Sequence, residues 1–314
     1  MHDRSPRRAP HLYAGPYLDR GGDKRKDAAW IEAALHAPQA RFVPVWRSLN
    51  LVTVSDARRA VLYPKAAISP WLSHQPPIFL GQFREHACFA VELPATDQPS
   101  LEGDFVDLRL AGGDLEADEA GLLAYARALV YWRSRHRFCG ACGAATRPTD
   151  GGQVMTCTSE SCAQQSFPRL DPAIIVLVSD GERALLGRQA SWPAGRYSTL
   201  AGFVEPGESL EDAVVREVAE EAGVAVTHLH YHSSQPWPFP SSLMVGFEAG
   251  AAADEPVVGE ELEDARWFTR AEIAAGVIKL PPRLSISFRL IEHWYDAEGY
   301  SLGTDLDRLA GRAR

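Results

Sequence analysis

The chain has 314 residues, 46% of them hydrophobic, a formal net charge of −9 and five cysteines. That length accommodates about two domains with ordinary apolar cores, while the acidic balance excludes a general coat for nucleic acid, which needs a basic face. No apolar run approaches the roughly 20 residues of a membrane helix. The Arg-bearing segment 1–10 leads into no apolar core of an export signal, so a cytoplasmic globular protein is expected.

Residues 1–30, rich in Arg, Gly and Asp, predict a poorly ordered tail. From Phe42 onward the apolar stretches 51–54, 78–80 and 87–91, parted by Pro and Gly turns, predict strands of an N-terminal α/β accessory domain over 31–137. Leu122, Leu123, Ala126, Leu129, Val130 and Trp132 carry helical spacing, which predicts a helix from Asp118 to about Arg137 closing that domain. Arg133, Arg135, His136 and Arg137 at its end suit either an RNA contact or a solvated helix terminus. Cys88, alone in an apolar stretch, reads as a core thiol.

The other four cysteines cluster. Cys139 and Cys142 form a Cys-x-x-Cys knuckle, and Cys157 and Cys162 follow, separated by four residues where the commoner knuckle has two. Four thiolates at this spacing predict a structural Zn²⁺ ribbon over 138–168 rather than a disulfide framework. With all four ligands cysteine, no coordination position stays open, so this metal should stabilise rather than catalyse.

Beyond the ribbon, 173–178 and 184–188 read as strands leading to a glycine turn and an acidic helix. Glu217, Glu220 and Glu221 stand three and four residues apart and share one helix face. Carboxylates that close raise one another's pKa unless a multivalent cation neutralises them, and hard oxygen donors select Mg²⁺ or Mn²⁺. Ser209 with Asp212 predicts a capping box, Gly223 a left-handed C-terminal stop, and Leu210, Val214 and Val218 the buried stripe. A solvated amphipathic helix is the plain alternative; four acids, one Arg and glycines at fixed offsets argue against it. Strands at 242–247 and 265–268 and a helix over 283–294 would complete a mixed sheet covered by helices.

Two motifs carry a resemblance. Gly202, Glu208, Arg216-Glu217, Glu220-Glu221 and Gly223 resemble the Nudix box with every fixed position filled. Ser234-Gln235-Pro236-Trp237-Pro238-Phe239-Pro240-Ser241-Ser242 resembles the signature of the NADH pyrophosphatase subfamily. Its three prolines fix the loop and hold two aromatics and the serine hydroxyls in place, a suitable grip for a planar base.

The resemblance implies a Nudix α/β/α sandwich with a mixed sheet over 169–300, followed by a C-terminal tail at 301–314. It implies metal-dependent hydrolysis of the pyrophosphate of NADH or NAD⁺ to nicotinamide mononucleotide and AMP, with capped RNA 5′ ends as the rival substrate and a non-catalytic nucleotide sensor as a third reading. Glu217, Glu220, Glu221, Glu261 and the Ala201 carbonyl are implied ligands of two or three Mg²⁺ or Mn²⁺ ions. Arg216 orients the helix, and Glu220 is the first choice for handling the attacking water. Gln235 to Ser242 should line the substrate pocket, with Phe203, Phe167 (where Tyr is common), Ser287 (where Ala is usual) and Arg109 as further contacts. A homodimer is also implied.

Overall fold

The computed structural model describes residues 10–55, 57–72, 75–96, 98–297 and 299–312. These fall into two compact units, one comprising the chain to Leu170 with Trp237–Ser241, the other Asp171–Pro236 with the remainder from Ser242. No helix among the described residues is long and apolar enough to cross a membrane.

In the first unit, α1 (Ala28–His36) starts at Asp27, whose carboxylate accepts from Trp30 N–H. Then come β1 (Arg41–Trp46), β2 (Leu49–Val52), α2 (Lys65–Leu72), β3 (Ile78–Phe83), β4 (His86–Glu92), β5 (Asp104–Val106), the short α3 (Leu108–Ala111) and the long α4 (Ala117–Arg135). The sheet runs β3-β4-β1-β2-β5, with β1 and β4 parallel and its other pairs antiparallel. Alternation of side chains along these strands sends Phe42, Phe79 and Phe89 to one face, with Trp30 and Ile31 of α1, and Val43, Val45 and Ala90 to the other, with Leu122, Leu123 and Ala126 of α4. Cys88 lies in that second layer, and burial pushes its thiol up to about 12, as suits a core residue.

The expected N-terminal tail is corrected over its described part, since residues 1–9 lie outside the described residues. Tyr13 is 3% exposed and donates to the Leu108 carbonyl, Tyr17 donates to Gly121, and Asp19 bridges to Gln82. The second strand ends at Val52 rather than Val54, which faces solvent. The ribbon, also in this unit, is a three-stranded sheet of β6 (Thr146–Thr149), β7 (Val154–Cys157) and β8 (Gln165–Ser166).

The second unit is built on β9 (Asp171–Ser179), whose run Ala-Ile-Ile-Val-Leu-Val has the β-branched character of a strand buried on both faces. Along one edge β9 pairs in parallel with β13 (Ser242–Ala251). Its other edge is shared by β11 (Leu200–Phe203) and β10 (Arg183–Arg188), both antiparallel. With β12 (Val226–Trp237) and β14 (Asp264–Thr269) outermost, the mixed sheet reads β12-β13-β9-β10-β14.

Ile174, Val176 and Val178 pack with Val214 and Val218 of α5 (Leu210–Ala222). Ile175 and Leu177 pack with Phe288, Ile291 and Trp294 of α7 (Ile286–Asp296). The α/β/α sandwich follows directly from that alternation. The short α6 (Arg270–Ala274) follows β14, and the tail expected over 301–314 is corrected over its described part, which forms α8 (Leu302–Arg312), held by Leu302 in the core and Tyr295 donating to Asp305; residues 313–314 lie outside the described residues.

Candidate active site

α5 is fixed at both ends. Ser209 Oγ accepts from Asp212 N–H while Asp212 accepts from Ser209 N–H, a reciprocal capping box, and Gly223 ends the helix at φ 65°. Because Val214 and Val218 are drawn into the core, the acids are fixed in rotation about the helix axis. Glu217 and Glu221 are largely buried against the sheet and Glu220 is exposed.

Arg216 organises this face. Its Nε and Nη2 grip both oxygens of Glu208 at 2.6 and 2.9 Å, Nη1 reaches Glu217 at 2.9 Å and Glu220 at 3.0 Å, and Nη2 also donates to the Phe203 carbonyl at 2.9 Å. Only the planar guanidinium fork serves so many acceptors at once. The bidentate pairing holds Glu208 down to about 2. Gly202 on β11 makes room for the neighbouring acid, since a Cβ there would stand 1.8 Å from Glu217 Oε1.

Glu221 is the most perturbed group. Burial, then the charges of Glu217 and Glu261, push it up to about 7. Glu217 is likewise raised, by burial first and by Glu220 and Glu261 after it. The structure thus brings Glu261, from the loop before β14, into electrostatic reach of both acids. Glu221 accepts from the Ala201 N–H, while its Oε2 is buried with no hydrogen-bond partner. A strand residue turns its N–H and C=O to the same edge, so the Ala201 carbonyl faces the side that Glu221 engages. An orphaned buried carboxylate oxygen among like charges, beside a strand carbonyl, is an all-oxygen donor set suited to a hard divalent cation.

The candidate substrate residues have different surroundings. Phe203 is 61% exposed and Phe167 58%, so both rings offer open faces. Trp237 and Phe239 do not: within the first unit they pack edge-on against Tyr13 and each other, and the Arg127 guanidinium sits 4.7 Å over the Phe239 ring and donates to the Pro238 carbonyl. The Phe239–Pro240 peptide is cis, Pro236 is half-buried and Pro240 is exposed. Gln235 is fully buried, donating to the Leu284 carbonyl and accepting from Ile286 N–H, so its amide fastens the start of α7. Ser287 is 3% exposed, with its hydroxyl bonded to Ser198 and Thr199. Ser241 and Ser242 are half-buried. Arg109 is clasped by Asp107.

Of the basic group at the end of α4, Arg133 is 2% exposed and donates to the Pro76 carbonyl, which removes it from any surface contact. Arg137 pairs with Glu92 at 3.5 Å.

The four ribbon cysteines converge, each sulfur within 4.8 Å of the others. Backbone turns bring them there: Gly143 N–H donates to Cys139 O, Ala163 N–H to Ser159 O, and Ser159 N–H to the Cys157 sulfur. The longer second spacing is taken up by that Ser159 turn, where Ser159 and Ser161 hydroxyls bond each other. N–H groups of Ala141 and Cys142 draw the Cys139 thiol down to about 7. A closed thiolate set of this kind fits Zn²⁺.

Sequence reading missed two features of the site. Glu208 was legible as a fixed position, but its service as the anchor of Arg216 needed the loop geometry. The lock of Ser287 on Ser198 and Thr199 joins residues 88 or more apart, which no local pattern reports.

Residues 169–290 match the NUDIX domain family, 39–132 the NADH pyrophosphatase-like rudimentary NUDIX domain, and 134–167 the NADH pyrophosphatase zinc ribbon domain. NAD-capped RNA hydrolase NUDT12 of Homo sapiens is 46% identical, covering 90% of this chain and 73% of that protein. NAD-capped RNA hydrolase NudC of Mycobacterium bovis is 38% identical, covering 91% and 97%, and mitochondrial NAD(P)H pyrophosphatase NUDT13 of Homo sapiens is 40% identical, covering 64% and 62%. Three matched segments in unbroken order, and relatives aligned along nine-tenths of the chain, mean that it belongs to the NADH pyrophosphatase group of the Nudix hydrolases.

Proposed function

We propose that this enzyme hydrolyses the pyrophosphate bond of NADH and NAD⁺, releasing nicotinamide mononucleotide, reduced or oxidised, and AMP. The observation that carries the reading is the buried, unpartnered Oε2 of Glu221, raised among Glu217 and Glu261. In this reading Glu217, Glu220, Glu221, Glu261 and the Ala201 carbonyl hold Mg²⁺ or Mn²⁺, two or three ions in all; bound there, such ions neutralise the pyrophosphate and acidify water.

Arg216 keeps Glu217 and Glu220 in register and touches no substrate. Exposed Glu220 accepts the proton of the attacking water, whose oxygen forms the new bond to phosphorus as the bridging P–O bond breaks. Phe203 supplies a stacking face for the base, and Phe167 in the first unit offers an open ring as a further substrate contact. Gln235 and Ser287 act by position, fixing α7 against β12 and the approach to β11, while Trp237 to Ser242 and Arg109 shape the substrate side. Cys139, Cys142, Cys157 and Cys162 hold one structural Zn²⁺. A cytoplasmic homodimer completes the proposal.

A second substrate, the NAD cap of RNA, is supported by the names of two aligned relatives; it presents the same pyrophosphate. Incubation with NADH, NAD⁺, ADP-ribose and a short NAD-capped RNA, with chromatography of the products, separates the readings. AMP with reduced nicotinamide mononucleotide, formed fastest from NADH, is expected, and Glu221→Gln should abolish it while circular dichroism stays native. Cleavage of capped RNA alone would move the substrate to RNA, and wild-type turnover by Glu221→Gln would overturn the ligand assignment.

A further inference from the structure

His228, His230 and His232 occupy alternate positions of β12, so their side chains leave one face of the strand. Glu248 of β13 and His293 of α7 meet them there. His230 Nε2 bonds Glu248 Oε2 at 2.8 Å, His293 Nδ1 bonds Oε1, and His232 Nε2 stands 3.8 Å from Oε1. One donor atom each from His232, Glu248 and His293 lies within 4.8 Å of the other two. The group opens on a cleft of about 400 Å³ lined in part by His228, His230, Ser179 and Asp180. It includes no acid of α5 and no ribbon cysteine.

We propose that His232, Glu248 and His293 form a further metal site, binding a borderline first-row cation such as Zn²⁺. The donor set is the first argument: two imidazoles with one carboxylate suit Zn²⁺ and its neighbours and disfavour Mg²⁺, which takes oxygen. Geometry is the second. Donors sharing a tetrahedral ion at 2.0–2.1 Å stand about 3.4 Å apart, a spacing that these side chains reach through small torsions.

Orientation is the third argument, because His232 is held by Nδ1 against Ser233 Oγ at 2.7 Å, which turns Nε2 toward Glu248. The His232 and His293 rings stand 5.0 Å apart, inclined by 64°.

An ion there would join β12, β13 and α7. His232 lies three residues before Gln235, whose amide already holds the start of α7, and His293 lies seven residues into that helix. The metal would therefore add a second tie between the same strand and helix, stabilising the native chain by an amount that grows with the logarithm of free metal above its Kd.

The test is Co²⁺ titration of the full chain carrying one equivalent of Zn²⁺, enough for the ribbon alone, in excess Mg²⁺, read by visible absorption. One equivalent with the intense d–d bands of four-coordinate nitrogen and oxygen ligation, and no thiolate charge-transfer band, is expected. His293→Gln and Glu248→Gln should each abolish it, and Glu221→Gln should leave it. Added Zn²⁺ should raise the wild-type Tm by several degrees and leave that of His293→Gln unchanged. No bound equivalent in the wild type, binding indifferent to both variants, or loss with Glu221→Gln would overturn the site.

Discussion

At the scale of single residues, Glu221 ties stability, metal and pH together. Its carboxyl is raised from 4.5 to about 7 by burial and by Glu217 and Glu261, so between those values the folded chain holds a proton that the unfolded chain has lost. Without divalent cation, stability must therefore fall as pH rises through that window, by an amount on the order of 3 kcal/mol. Thermal melts of the chelated protein at pH 5 and 8 should show a drop that is largely absent in Glu221→Gln; parallel slopes would contradict the linkage. Cation affinity should climb with pH to about 7 and then level, with release of about one proton per chain by calorimetry in two buffers. Gly202 gives a steric counterpart. A methyl at that position would overlap Glu217, so Gly202→Ala should cut kcat by roughly 100-fold by displacing one acid, with an unchanged far-ultraviolet spectrum.

At the scale of elements, α5 depends on Arg216 as much as on its caps. Lysine cannot replace a fork that serves Glu208, Glu217, Glu220 and the Phe203 carbonyl. Arg216→Lys should lose about 10- to 100-fold in kcat with a small change in Tm, and recovery to wild-type turnover would remove Arg216 from the positioning apparatus. This helix was legible in sequence because all its determinants are local: cap, stripe, acid spacing and terminal glycine. The same holds for β9. Legibility fails where partners are distant. α1 lays Trp30, Ile31, Ala34 and Leu35 half-buried on the Phe42 and Phe79 layer, a partner far along the chain, and α2 contains Pro70, so neither was legible from local pattern. α7 begins at Ile286, later than its pattern suggests, because Ser285 caps it and Gln235, 51 residues away, accepts its first N–H. The aromatics of 234–242 read as a grip for a base, yet Trp237 and Phe239 rest on Tyr13, more than 200 positions earlier in the chain and inside a stretch whose composition suggested disorder.

At the scale of the whole molecule, the ribbon is stitched into the first unit's sheet. Gln153, just past its tight turn, donates to the Phe79 carbonyl at 2.6 Å and accepts from Tyr125 at 3.0 Å. Loss of zinc should therefore reach beyond the cysteines. Stripping it with a strong chelator is expected to lower Tm by several degrees and to raise amide exchange along Ile78–Phe83 as well as in β6 and β7. Exchange confined to the ribbon would show that the link carries no stability.

The five residues Trp237–Ser241 belong with the first unit, although β12 as far as Pro236 and the whole of β13 belong with the second. The polypeptide thus passes from one unit to the other three times. A fragment beginning at Asp171 would carry Trp237, Pro238 and Phe239 without Tyr13 and Arg127, displaying two aromatic rings to water with nothing to cover them. The half that bears the acids is consequently no exchangeable cassette: recombination at the ribbon, in evolution or in the laboratory, would have to respect all three crossing points together or rewrite the proline-rich turn.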